Sequence, residues 1–216
     1  MTRLKVGVLI SGRGSNLQAL IDAAADPAYP AEIALVISNR PEAPGLERAA
    51  GAGIAHCVIA DPSRQAFAAE ADAVLRQSGV GLVALAGYMR LLDSFFIAAW
   101  RDRLVNIHPS LLPAFPGLHA QRQALAAGVR FSGCTVHFVR DEVDTGPIIA
   151  QAVVPVRGDD DEDRLSNRIL QAEHRLYPLV VRLFAQGRLR IAGNTVLIAD
   201  AAAPQDIVLN PLEALV

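Results

Sequence analysis

The feature that most constrains the fold is an alternation, over the first hundred residues, between short apolar runs and segments of helical period. Leu4 to Ile10, Ile33 to Ile37, Val58 to Ile59 and Leu82 to Leu85 read as buried strands. Between them Leu17, Leu20, Ile21 and Ala24 fall at i, i+3, i+4 and i+7, and Phe67, Ala71, Val74 and Leu75 also keep to one helical face. Strands alternating with amphipathic helices make βαβ units. The expectation is therefore an α/β fold with one open, mostly parallel, twisted sheet and helices on both faces. Apolar residues are 52% of the 216, ample for its core.

The second half reads differently. Leu104 to Ile107 is a further strand, and the proline-rich stretch from Pro109 to Gly117 is a loop, since its prolines fit neither a helix interior nor a central strand. Thr135 to Val139 and Ile148 to Val156 are expected as two β segments joined by the turn-forming Asp144-Thr145-Gly146-Pro147. Asp161 to Gln186 reads as one long helix, kinked at Pro178, with a core face of Leu165, Ile169, Ala172, Leu176, Leu179 and Leu183. The last thirty residues suggest a short hairpin and a loose tail. With no internal repeat or low-complexity linker, residues 1–216 are expected to form one domain.

Composition excludes several classes. Charged residues are 19% and the net charge is -2, so nothing draws the chain to nucleic acid or an anionic membrane. Cys57 and Cys134 stand far apart without further ligands at zinc spacing, which leaves core packing as their expected use. The Val6 to Ile10 run is too short for a signal-peptide core, and no stretch reaches the roughly 18 apolar residues of a membrane span. A cytoplasmic, reduced protein is the default expectation.

Three motifs carry chemistry. Ser11-Gly12-Arg13-Gly14-Ser15-Asn16 lies between the first strand and the first helix, where free N–H groups form a seat for phosphate or carboxylate. A ligand-free helix cap is the alternative. Dinucleotide binding does not fit: Leu17 stands at the third glycine position, and the second strand ends in Ser38-Asn39 without an acid for a ribose. In Asn106-Ile107-His108, at a strand end, alternation puts an amide and an imidazole on one face, a pairing suited to acyl transfer, where an oxyanion is stabilised and a proton moved. The third, Asp141-Glu142-Val143-Asp144, is either a solvated acidic loop or, if Asp144 approaches His108, the source of a charge that favours imidazolium. His108, His119 and His137 lack the close pairing of a zinc site, so no metal is expected.

GRGSNLQAL (Gly12 to Leu20), LAGYMRLL (Leu85 to Leu92), NIHPSLLPAFPGLHA (Asn106 to Ala120), VHFVRDEVDTGPII (Val136 to Ile149) and AEHRLYP (Ala172 to Pro178) together resemble the phosphoribosylglycinamide formyltransferases over nearly the whole chain. The resemblance implies a Rossmann-like formyltransferase fold, with a ribonucleotide-phosphate half over about 1–100, a folate and catalytic half over about 101–190, and a tail over about 191–216. It also implies transfer of a formyl group from 10-formyltetrahydrofolate, a co-substrate, to the amine of glycinamide ribonucleotide in purine synthesis, without a metal. Gly14, Ser15, Asn16 and Glu173 match the ribonucleotide contacts. Arg64, Met89, Arg90, Leu91, Leu92, Asn106, Arg140, Asp141, Glu142, Val143 and Asp144 match the folate contacts. Asn106, His108 and Asp144 match the catalytic trio, and His119 and His137 stand as supports to it. His56 and His174 read as structural, and a cis bond at Leu112-Pro113 is implied.

The expected partners are thus two small molecules, with no nucleic acid and no membrane, and a monomer or homodimer. One rival is formyltetrahydrofolate deformylase, which passes the formyl group to water; such enzymes generally carry an amino-terminal regulatory domain, whereas the motifs here start near Met1. Methionyl-tRNA formyltransferase would need a carboxyl-terminal extension and a basic surface. A non-catalytic folate or nucleotide-binding module would have no need of all three catalytic residues.

Overall fold

In the computed structural model, which describes residues 2–201 and Asn210, the apolar runs pair into a nine-stranded sheet. Its parallel half comprises β1 (Leu4–Ile10), β2 (Ala31–Ser38), β3 (His56–Val58), β4 (Leu82–Leu85) and β5 (Leu104–His108). Next to β5 run β6 (Phe131–Phe138) and β7 (Ile148–Pro155), both antiparallel to their predecessors, and then the edge hairpin of β8 (Leu189–Ala192) and β9 (Thr195–Ile198). The spatial order is β3-β2-β1-β4-β5-β6-β7-β9-β8.

Six helices connect these strands: α1 (Ser15–Ala24), α2 (Gly45–Gly51), α3 (Arg64–Gln77), α4 (Ser94–Ala99), α5 (Ala120–Ala126) and α6 (Glu162–Ala185). Alternation along β1 sends Val6, Val8 and Ile10 into one hydrophobic cluster with Leu17, Leu20, Leu165, Ile169 and Tyr177 of α1 and α6. Leu9 faces the other way, into a second cluster with Phe67, Leu75, Phe96 and Trp100. Both faces of the sheet are therefore covered, as its uninterrupted apolar strands require. Cys134 is fully buried in the first cluster and Cys57 is half-buried against the second; both are free thiols.

The structure departs from the sequence reading in four places. β3 covers His56–Val58 rather than Val58 to Ile59, because its pairing with Val36, Ile37 and Ser38 decides its extent. β6 starts at Phe131, ahead of Thr135; Gly133 weakens the strand signal there, yet a Cβ on it would stand 1.9 Å from the Ala152 carbonyl oxygen of β7. The link between β6 and β7 is a longer loop from Val139 to Pro147, not a tight turn at Asp144. Leu179 is 46% exposed: the buried stripe of α6 runs through Glu173, Leu176, Tyr177, Val180 and Val181, so Leu179 falls on its flank beside Val153 and Arg182. The short helices α2, α4 and α5 also carry no clear periodic signal in the sequence.

α6 is one helix capped by the Asp161 carboxylate, and it runs on through Pro178, whose carbonyl accepts from the Tyr29 hydroxyl at 2.7 Å. The expected terminal hairpin is β8–β9, while the loose tail falls on residues largely outside those described. The Leu112-Pro113 bond is cis. No described helix is long and apolar enough to cross a membrane.

Candidate active site

Strand order brings the motifs together. β5 lies between β4 and β6, so Asn106, at its carboxyl end, is flanked by the loop leaving β4 and by β6, which runs into the Val139 to Pro147 loop. Antiparallel register sets His137 opposite Asn106 and Thr135 opposite His108. The acidic loop then turns back over this edge, with Asp144 at a positive φ of 57° and Gly146 so close to the Phe138 carbonyl oxygen that a Cβ would stand 1.6 Å from it.

That return places the Asp144 carboxylate between two imidazoles. Its Oδ2 is 3.3 Å from His108 Nδ1 and its Oδ1 is 3.6 Å from His137 Nε2, while the Gly117 N–H donates to Oδ2 at 2.8 Å. On the far side of the ring His108 Nε2 donates to the Phe115 carbonyl at 2.9 Å. A carbonyl can only accept, so Nε2 carries a proton; a second proton, on Nδ1 facing the carboxylate, gives an imidazolium held between two acceptors. His137 Nδ1 meets the Phe138 carbonyl at 3.0 Å, and its Nε2 stands 3.3 Å from Asn106 Nδ2. His137 Nε2 either holds a proton toward Asp144 or accepts one Asn106 N–H, and in both cases an Asn106 N–H is left for a ligand.

Asp144 responds to these neighbours. Burial pushes its carboxyl up, but the His137 ring, the Gly117 N–H and the charge that His108 and His137 carry when protonated outweigh it and hold the group below the usual carboxylate range. Asp144 is thus ionised and His108, 5% exposed, is largely withdrawn from water. The floor beneath is fixed by Thr135, whose hydroxyl donates to Ser110 O at 2.7 Å and accepts from Leu112 N at 3.0 Å, and by Gln151, which donates to Leu112 O at 2.9 Å. The proline-rich stretch marks this loop in the sequence, but nothing in the sequence points to Thr135 or Gln151.

The first loop forms a second centre. Gly14, at φ 68°, precedes α1, and its close approach to Gly45 of α2 leaves no room for a Cβ, which would stand 2.8 Å from the Gly45 Cα. Ser15 and Asn16 present the free N–H groups of the helix start. Asn16 Nδ2 donates to Glu173 Oε2 at 2.7 Å, so sequence positions far apart meet in one buried pair. Burial pushes the Glu173 carboxyl up to about 7, against the lowering effect of that single hydrogen bond. Asn16 Oδ1 is buried without a partner, so the pair presents acceptors to a ligand bearing hydroxyl or N–H groups.

The positions matched to folate contacts fall at the start of α3, on the loop that leaves β4, on β5 and on the Val139 to Pro147 loop. Met89, Leu91 and Val143 are exposed at 65%, 59% and 52%, apolar side chains open to solvent on two of these loops. The Arg90 guanidinium is engaged in structure, donating to Asp61 O and Pro62 O at 2.7 Å each, which draws the start of α3, with exposed Arg64, toward the Met89 to Leu92 segment. Arg140 pairs with Asp102 at 2.6 Å and so anchors the loop carrying exposed Asp141 and Glu142. His119 does not join the cluster: it is exposed, sits ahead of α5 at φ 58°, and has no side-chain hydrogen bond or ion pair among the described residues. Exposed His56 meets Ile54 O, its one side-chain hydrogen bond among the described residues, and His174 lies beside the first loop. Among the described residues no group of three or more His, Cys, Asp or Glu is arranged to hold a metal ion.

Comparison with known proteins shows the family. The profile of the formyl transferase family matches residues 4–181. Phosphoribosylglycinamide formyltransferase of Escherichia coli strain K12 is 48% identical over 194 residues, 88% of this chain and 92% of that protein. The trifunctional purine biosynthetic protein adenosine-3 of Drosophila pseudoobscura pseudoobscura is 53% identical over 95% of this chain, which spans only 15% of its length. The crystal structure of glycinamide ribonucleotide transformylase 1 from Symbiobacterium toebii superposes with a TM-score of 0.89 at 54% identity, covering 92% of this chain and 95% of that one. A formyltetrahydrofolate deformylase from Pseudomonas syringae superposes at 0.84 but is 26% identical, and this chain covers 66% of it. The chain belongs to the formyl transferase family.

Proposed function

We propose that the chain transfers the formyl group of 10-formyltetrahydrofolate to the amino group of glycinamide ribonucleotide, a step of purine synthesis, in the cytoplasm and without nucleic acid or membrane. The observation that carries this reading is the Asn106–His137–Asp144–His108 cluster, in a chain that also presents a helix-start anion seat. In it an oxyanion donor and a carboxylate-held imidazole serve one point, as acyl transfer between bound molecules requires.

The amine lone pair attacks the formyl carbon and the carbonyl electrons move onto oxygen. Asn106 donates its free N–H to that oxygen, and the His108 imidazolium, stabilised by Asp144, lends positive charge. Collapse breaks the bond from carbon to the folate N10. The proton lost by the attacking amine replaces, by way of His108, the one passed to N10, so the ring ends as it began. No residue of the chain forms a covalent bond. Gly14, Ser15 and Asn16 hold the ribonucleotide phosphate, and Glu173 with Asn16 Oδ1 accepts from its hydroxyl groups. Arg64, Met89 to Leu92 and the Arg140 to Asp144 loop hold the folate.

Folate release followed with and without glycinamide ribonucleotide tests this directly. Release that depends on the amine is expected. Amine-independent release would make the chain a hydrolase like the deformylases, and no release would reduce it to a binding module.

A further inference from the structure

Two residues of the strand ends stand outside this chemistry. Ser11, 4% exposed, heads the first loop, and Asn39 follows β2 where a dinucleotide enzyme carries its acid. The Ser11 hydroxyl donates to Asn39 Oδ1 at 2.6 Å and accepts from the Met89 N–H at 2.8 Å. β2, β1 and β4 are neighbours, so one hydroxyl ties together the loops that leave three adjacent strands. The Ala86 N–H bond to Leu9 O carries the sheet pairing to the end of β4, and the Ser11 bond continues it to Met89. Only a group that both donates and accepts can do this. Because the tie is to the Met89 backbone, the exposed side chain stays free to meet a ligand.

We infer that Ser11 is a positioning residue that holds the Met89 to Leu92 segment in register with the Gly14 to Asn16 loop, and so sets the separation of the folate and ribonucleotide sites. This rests on the transferase reading above. Another anchor of the segment, Arg90, runs to the carbonyls of Asp61 and Pro62 ahead of α3 and not to the ribonucleotide loop, so it does not replace the tie.

Ser11→Ala removes the acceptor of the Met89 N–H. Loss of one such bond is expected to raise KM for 10-formyltetrahydrofolate about five- to tenfold. KM for the ribonucleotide should stay within about twofold, since Gly14, Ser15, Asn16 and Glu173 are untouched, while kcat should fall a few-fold as the two sites lose their spacing. Asn39→Ala leaves Oγ in place but unsteered, so its effect should be smaller, and adding it to Ser11→Ala should change nothing further. It also serves alone if Ser11→Ala does not fold. Hydrogen exchange at the Met89 amide, read without substrate, should accelerate in both variants. Unchanged exchange and unchanged folate KM would overturn the inference, as would an equal loss in every parameter. Faster exchange in a protein whose unmodified form transfers no formyl group would instead sink the transferase reading and leave the clasp standing.

Discussion

Asp144 and Glu173 are both carboxylates withdrawn from water, one where the sheet turns antiparallel and the other where α6 meets the loop before α1. Around Asp144 two imidazoles and a backbone N–H converge, and the group is held below the usual carboxylate range. Around Glu173 one neutral amide donates, and burial prevails, lifting it to about 7. Burial alone does not set the charge of an acid; the donors aimed at it do. On the proposed function, the first region keeps a fixed negative charge beside a proton carrier and the second meets a neutral polar ligand.

The sharpest way to break this contrast is at the catalytic centre. His108→Ala and Asp144→Asn should each lower kcat roughly a hundred- to a thousandfold, with substrate affinity far less affected; steady-state kinetics on folded variants checks this. Turnover within tenfold of normal would remove Asp144 from the chemistry.

Stability against pH separates the two acids by sign. Glu173 keeps a proton that the unfolded chain releases, so its contribution is full below about 4.5 and is lost as pH rises through about 7. The difference across that window is roughly 3 kcal/mol, and denaturant titrations should show the loss in the unmodified chain but not in Glu173→Gln. Asp144 acts in the opposite sense: its contribution is present above the unfolded carboxyl range and fades as pH falls through its lowered native value. A parallel pH response in the two variants would erase the distinction.

Smaller effects test the supports. Thr135→Val leaves Ser110 O and the Leu112 N–H unpaired beneath His108, at about 1–3 kcal/mol of stability by denaturant titration. Asp102→Ala releases Arg140 at the exposed end of the acidic loop and should cost less than about 1 kcal/mol, with a modest rise in folate KM.

Much of the parallel half was legible because a doubly covered sheet writes itself as apolar runs, and β1 and β4 fall where those runs predict. Asn106 and His108 were legible for a related reason: strand alternation alone puts them on one face. Asp144 was not, since its approach depends on a positive φ and on a Gly146 that clears a carbonyl, neither of which has a period. The family resemblance joined it to the other two. Glu173 shows the limit of periodicity most clearly, because an acid in the buried stripe of α6 breaks the apolar pattern and was picked out by the family resemblance alone, while Leu179, an apolar residue on the flank, reads as core. His119 was drawn in by its motif, and the turn before α5 carries it out to solvent.

The central claim is that one acid serves the chemistry and the other serves binding. Single-turnover formyl transfer at saturating substrates, measured with the dissociation constant for glycinamide ribonucleotide in Asp144→Asn and Glu173→Gln side by side, tests it most directly. The account predicts a crossed result: the Asp144 variant loses about a hundredfold or more in rate and keeps its affinity, while the Glu173 variant loses about tenfold in affinity and keeps most of its rate. Two variants with the same pattern, in either quantity, would contradict it.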